Sequence, residues 1–218
     1  MSAIEAPAVL PGTGHTIWSL FEDCVTERPQ TRLVFSVEGR EHERSMAGLR
    51  GEALRLAAGL RERGLEAGDV VMVQFPHCPE NLAAFLACMA LGVTFVPVVH
   101  NYGAAEMDFM LRQSRARLLF MPARWHNFDY PGRARALAGI DTLENIVFAG
   151  DALPDCPKAL AWSGLLPARG LEAEDLPAQQ PRDRCMIIYT SGTTSAPKGA
   201  MHCHASLIAE AAQTSAYL

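Results

Sequence analysis

From residue 70 onward the chain alternates short apolar runs with helical repeats, and few folds satisfy that alternation. Residues 70–75 form a compact apolar run that follows the turn Gly68-Asp69. A run without polar alternation suits a strand buried on both faces. Residues 79–91 carry helical spacing, with Pro79 fitting the first turn and Gly92 ending it. Residues 93–99 then read as a strand, 104–114 as a helix and 117–121 as a strand. Strand, helix, strand in this order predicts an α/β fold, a parallel sheet with helices on both faces.

The flanking segments extend this plan. Residues 1–15 are rich in Pro, Gly and Ala and read as an irregular arm. A first helix spans 16–27, with Thr16 as its cap, Ile17, Leu20, Phe21 and Cys24 on one face, and Pro29 as its stop. Glu38-Gly39 between two short β-prone runs predicts a hairpin. Ser45 caps a helix in which Met46, Leu49, Ala53, Leu54, Ala57 and Leu60 share a face and Gly64 supplies the stop. A short helix near 133–138 and a strand at 146–148 follow. Residues 150–183, rich in Pro, Ala and acidic side chains, read as a long surface connection. A strand at 184–190 and a helix at 205–217 complete the chain. The expected organisation is an arm (1–15), an N-terminal α/β subdomain (16–183), and a segment (184–218) that starts a further, incomplete part.

Composition narrows the function classes. With 218 residues, 49% hydrophobic and 20% charged, the chain is long and apolar enough to bury a core, which argues against disorder. The net charge of -5 and the lack of a basic stripe argue against a nucleic-acid partner. The six cysteines form no CxxC pair, and the N-terminus lacks a basic start with an apolar run behind it. Reduced thiols and a cytoplasmic location are the expectation. No apolar stretch is long enough to span a bilayer.

One stretch carries chemistry: Tyr189-Thr190-Ser191-Gly192-Thr193-Thr194-Ser195-Ala196-Pro197-Lys198-Gly199. Hydroxyls and backbone N–H groups presented together can hold a polyphosphate, and Gly192 permits close backbone approach. Lys198 adds positive charge near a leaving phosphate. The order Pro-Lys-Gly-Ala excludes the Walker loop, which ends in Gly-Lys-Ser/Thr. A hydroxyl-rich surface turn is the plain alternative.

The stretch resembles the signature phosphate loop of the acyl-adenylate-forming enzymes, which include acyl-CoA synthetases and the adenylation domains of peptide synthetases. The family pattern is Tyr-Thr-Ser-Gly-Thr-Thr-Gly-x-Pro-Lys-Gly, with a histidine six residues past the lysine. Ten of these eleven positions agree, counting the free one, and His204 has the right offset. Ser195 stands where glycine is usual. If that position needs positive φ, serine costs on the order of 1 kcal/mol. The helix-and-strand units around residues 46–73, 79–97 and 106–120 resemble the family's in the same order.

The resemblance implies that Thr190, Ser191, Gly192, Thr193, Thr194, Ser195, Lys198 and Gly199 contact the nucleotide, with Lys198 catalytic, and it assigns no metal ligand among residues 1–218. It implies ATP, Mg2+ and coenzyme A as substrates of the full enzyme, with a small carboxylic acid as the group activated. The family's adenine-binding segment, the Thr-Glu pair that helps hold magnesium, the ribose-binding aspartate and the lysine of a mobile C-terminal domain come later in its chain, so the 218 residues are expected to be an N-terminal portion, inactive alone. Its open sheet edge is expected to favour homo-oligomers. The favoured activity is that of an AMP-forming acyl-CoA synthetase. The alternatives are an adenylation domain that loads a carrier protein, and a non-catalytic binding protein of the same fold.

Other features weigh less. His202-Cys203-His204 has too few ligands for structural zinc, so a strand edge is the expectation, with His204 hydrogen-bonded locally. Trp125, His126 and Tyr130 read as packing residues, and Cys88 as a core thiol. Arg112, Arg115 and Arg117 read as a solvated helix end.

Overall fold

The computed structural model describes residues 14–190 and 197–215. Helix α1 (Ile17–Glu27) is capped by Thr16 through a reciprocal pair: the Ser19 amide donates to Thr16 Oγ1 at 3.1 Å and the Thr16 amide to Ser19 Oγ at 3.0 Å. Strands β1 (Arg32–Val37) and β2 (Arg40–Ser45) form the expected hairpin. Glu38 and Gly39 both take positive φ, the geometry of a tight two-residue turn. Ser45 caps α2 (Met46–Glu62) by accepting from the Gly48 amide.

The main sheet has seven strands in the order β7-β6-β5-β3-β4-β8-β9. Its parallel members are β3 (Val70–Val73), β4 (Thr94–Pro97), β5 (Leu118–Pro122), β6 (Asn145–Ala149), β7 (Ala159–Ala161) and β8 (Arg184–Thr190). Strand β9 (Lys198–Cys203) pairs antiparallel with β8 and forms one edge. Helix α3 (Pro79–Leu91) ends at Gly92, whose φ of 69° is left-handed. Helices α4 (Ala104–Ser114), α5 (Tyr130–Leu137) and α6 (His204–Ser215) complete the set.

Side chains alternate across the sheet and divide the core in two. Val71, Val73, Phe95, Leu118, Phe120 and Val147 point to the face covered by α2 and α3, where Trp18 of α1 also packs. Val70, Met72, Val96, Leu119, Met121, Ile146 and Phe148 point to the face covered by α4 and α5. The α/β class with helices on both faces is therefore observed.

Two segments differ from the sequence reading. Residues 150–183 are more than a surface connection. They supply β7, and Trp162 then meets Phe75 and Phe120 edge-on at 5.8 and 5.7 Å. Leu165 is fully buried, and the Leu171 amide donates to Leu54 O on α2. The anchors Leu160, Trp162 and Leu165 follow no helical or strand period, so composition masked them. The second difference is β9: the sequence reading places a strand edge only at His202-Cys203-His204, whereas the strand spans Lys198–Cys203. Among the described residues, no helix is long and apolar enough to cross a membrane.

Candidate functional site

Strand β8 ends at Thr190 and β9 starts at Lys198, and the two pair antiparallel. Of the residues expected to contact nucleotide, Thr190 and Lys198 stand opposite each other in the ladder, with Thr190 Oγ1 donating to Lys198 O at 3.5 Å. The Lys198 side chain is exposed. Ser191, Gly192, Thr193, Thr194 and Ser195 lie outside the described residues. Gly199 stands opposite Tyr189, and a Cβ there would come 2.9 Å from Ile187 Cγ2 and 3.2 Å from Tyr189 Cζ. A packing need thus accounts for Gly199: only a bare backbone lets β9 approach the Tyr189 ring. That ring is buried, and its hydroxyl donates to Met110 O at 3.4 Å.

The β8–β9 ladder is not regular. Its register shifts between Arg184 and Met186. Cys185 and Met186 both pack on the α3 side, whereas Ile187 and Tyr189 return to the α4 side. The extra residue resets the alternation, as a bulge does.

A crevice of about 490 Å3 opens at the C-terminal ends of β3, β4 and β8. The chain leaving β3 turns to the α3 face and the chain leaving β4 to the α4 face. This divergence is where open α/β sheets offer binding space. Phe75, His77, Val99, His100, Tyr102, Trp125 and Tyr189 line it. Gln74, fully buried, holds the loop after β4 by donating from Nε2 to Val99 O at 3.0 Å and Tyr102 O at 2.9 Å. Arg133 donates to His100 O at 2.7 Å and lies 5.0 Å from the Phe128 and Tyr130 ring centroids. Sequence reasoning missed Gln74 and Arg133 because their partners are carbonyls on distant loops.

His204 was expected to bond locally; its partners are remote instead. It is 1% exposed, accepts at Nδ1 from the Ile17 amide at 3.2 Å, and meets Gln179 Oε1 through Nε2 at 3.2 Å. Burial lowers its pKa, and the charge of Asp183 opposes that shift. The run His202-Cys203-His204 therefore splits, with His204 turned into the core. Among the described residues no group of three or more His, Cys, Asp or Glu side chains could hold a metal ion.

The remaining features have packing or ion-pair explanations. Tyr130 is buried, with no hydrogen-bond partner for its hydroxyl among the described residues, and Cys88 is fully buried. Trp125 and His126 meet edge-on at 4.6 Å. Arg112 pairs with Asp108, and Arg117 pairs with Asp69 and Glu144, so these two guanidinium groups already have carboxylate partners.

The thiols give a direct check on this corner of the fold. Burial pushes the Cys185 thiol up to about 12, with nearby Cys203 adding to the shift. The Ser206 amide, in the first turn of α6, holds Cys203 below its usual value. An alkylating reagent at neutral pH is expected to modify Cys203 well before Cys185, as read by peptide mass mapping. Equal rates would show that β9 separates from β8 in solution.

Comparison with known proteins agrees with this geometry. The profile of the AMP-binding enzyme family matches residues 21–217. Feruloyl-CoA synthase of Amycolatopsis sp is 35% identical over 161 residues, 74% of this chain and 28% of that protein. Tyrocidine synthase 3 of Brevibacillus parabrevis is 31% identical over 203 residues, 92% of this chain and 3% of that protein. Among solved structures, acetoacetyl-CoA synthetase from Streptomyces lividans superposes with a TM-score of 0.80 at 23% identity, over 92% of this chain and 32% of that one. The chain thus spans less than a third of each of these three proteins. The order of the sheet and the family match over most of the chain lead to one conclusion: this chain belongs to the AMP-binding enzyme family.

Proposed function

We propose that residues 1–218 are the phosphate-handling part of an AMP-forming acid–thiol ligase, an acyl-CoA synthetase. In this reading a carboxylate oxygen attacks the α-phosphorus of ATP, pyrophosphate leaves, and the thiol of coenzyme A then displaces AMP from the acyl-adenylate. The chain's contribution is electrostatic and positional. Hydroxyls and amides of residues 190–195, together with Lys198, stabilise charge on the β- and γ-phosphates as pyrophosphate departs. Mg2+ arrives bound to the ATP phosphates, as part of the substrate.

The observation that carries this reading is the pairing of Thr190 with Lys198 across the β8–β9 ladder. It sets a hydroxyl and a cation at the two ends of one loop. The relatives support the class, since a feruloyl-CoA synthase and a long chain acyl-CoA synthetase are among them. A second reading, adenylation followed by transfer to a carrier protein, draws on the tyrocidine synthase match over 92% of the chain.

The test is carboxylate-dependent exchange of pyrophosphate into ATP by the natural polypeptide that carries this sequence, with its intact mass measured alongside. Exchange driven by aliphatic or aromatic acids, with AMP and a CoA thioester formed on adding CoA, is expected. Exchange driven only by amino acids, without a CoA product, would favour carrier loading. ATP binding without exchange across the acid panel would leave a non-catalytic binding protein.

A further inference from the structure

Among the described histidines, His204 alone is buried, and its bonds run in one direction. Gln179 donates from Nε2 to Met89 O at 2.8 Å and Ala90 O at 3.1 Å, near the end of α3, which fixes its amide with Oε1 toward the ring. Nδ1 of His204 accepts the Ile17 amide proton, so Nε2 carries the ring proton and donates to Gln179 Oε1. One line of hydrogen bonds thus joins the end of α3, the 179–183 segment, the start of α6 and the first amide of α1. The Ala205 amide adds a second tie, donating to Pro181 O at 2.8 Å.

This anchor sits where β9 needs one. Among the described residues β9 is an edge strand with β8 as its single partner in the sheet, and their ladder already contains a register shift. A slip of one residue would send every β9 side chain to the opposite face. Lys198 would then leave its place opposite Thr190. His204 directly follows β9, so a slip must also pull the imidazole away from Ile17 and Gln179.

We propose that His204 is a positioning residue: as a neutral imidazole it ties the β9–α6 junction to α1 and Gln179, locks the register of β9, and so holds Lys198 opposite Thr190. The consequence for ligand binding rests on the phosphate-loop reading above; the register lock itself does not.

Protonation reverses the interaction, because a proton on Nδ1 would oppose the Ile17 amide. Around the ring, α1 offers that amide, the 179–183 segment offers Gln179 and Asp183, and α3 offers carbonyls through Gln179. Asp183 favours the cation, and burial outweighs it. The folded pKa therefore lies below the ordinary value of 6.5. The stabilisation is complete above that value and is lost as pH falls through the lowered folded one.

The experiment compares the 218-residue chain with His204→Ala, His204→Asn and Gln179→Ala. Hydrogen exchange of the 198–203 amides is read after correction for intrinsic rates, and Mg–tripolyphosphate binding is read by calorimetry. His204→Ala is expected to raise exchange in β9 about tenfold or more while β3 to β6 stay protected. His204→Asn keeps an acceptor near the Nδ1 position and should recover much of the protection. Wild type should progressively lose β9 protection as pH falls below 6.5, and His204→Asn should not. Unchanged β9 exchange in His204→Ala, or a folded His204→Asn as unprotected as His204→Ala, would overturn the lock. If His204→Ala does not melt cooperatively, Gln179→Ala and the wild-type pH profile decide: raised exchange supports the lock, and unchanged exchange in both ends it. If wild type binds no tripolyphosphate, the phosphate reading of Lys198 fails and exchange alone judges the lock. If wild type binds and His204→Ala binds equally well, the link from His204 to Lys198 is wrong.

Discussion

Replacing Gly59 by alanine is expected to destabilise the protein by about 3 kcal/mol, although the site is in the middle of a helix. In an open helix the same change stabilises by up to about 1 kcal/mol, because glycine has the larger backbone entropy to lose. Packing reverses the sign here. A Cβ on Gly59 would overlap the backbone carbonyl of Leu165, with the carbonyl carbon only 2.7 Å away. That obstacle is main chain, held by the docking of Trp162 and Leu165, so it cannot rotate aside. Gly51 lies in the same helix, is exposed, and has nothing within 4 Å of an added Cβ. Gly51→Ala is therefore expected to stabilise by roughly 0.5–1 kcal/mol. For a chain of this size the two changes should move the melting temperature in opposite directions, by about 6–12 °C down and about 1–4 °C up. Thermal unfolding of both variants checks the pair. A stabilised Gly59→Ala would mean that residues 162–171 do not pack on α2 as described.

If the proposed ligase activity holds, Lys198→Ala in the natural polypeptide that carries this sequence is expected to slow pyrophosphate exchange by about 100-fold or more, the scale of losing one positioned charge in a phosphoryl-type transition state. Stability should move by less than about 0.5 kcal/mol, since Lys198 is exposed and its ladder contacts use backbone. Lys198→Arg keeps the charge and should retain part of the rate. Loss of rate at constant stability separates chemistry from folding. If exchange survived Lys198→Ala unaltered, the role proposed for this residue would be wrong.

Much of the scaffold is legible in the sequence because its signals are local. Thr16 and Ser45 cap the helices they precede, Gly92 ends α3 in a left-handed turn, and Glu38-Gly39 makes the hairpin. The apolar run at 70–73 is buried on both faces, as a central parallel strand must be. The stretch 189–199 is legible as a motif, and the nucleotide contacts proposed for it are not a property that its own residues spell out. What escapes is whatever depends on a distant partner. Strand β7 is three residues, Ala159–Ala161, with no period of its own; it exists because β6 lies beside it. Strand β9 contains Gly199 and an exposed outer row, including Met201 at 71% exposure, so it reads as a loop until β8 pairs with it. The His204 relay is the plainest instance, since Ile17 and Gln179 lie 187 and 25 residues away in the chain.

The sheet order also sets a schedule for assembly. The strands β3 to β7 draw on neighbours close by in sequence, whereas β8 must find β4, with Met186 beside Phe95. Closing so long a loop is slow, and its cost is met only once the earlier strands present an edge to join. During synthesis the segment through β7 can consolidate before β8 emerges, leaving β4 as a waiting, apolar edge. Strand β8, with β9 following it, is then late to dock and, by the same energetics, among the first to leave. Nascent or heat-stressed molecules should therefore expose the β4 edge and β8 together, which makes this seam the place for a chaperone to bind and a protease to cut.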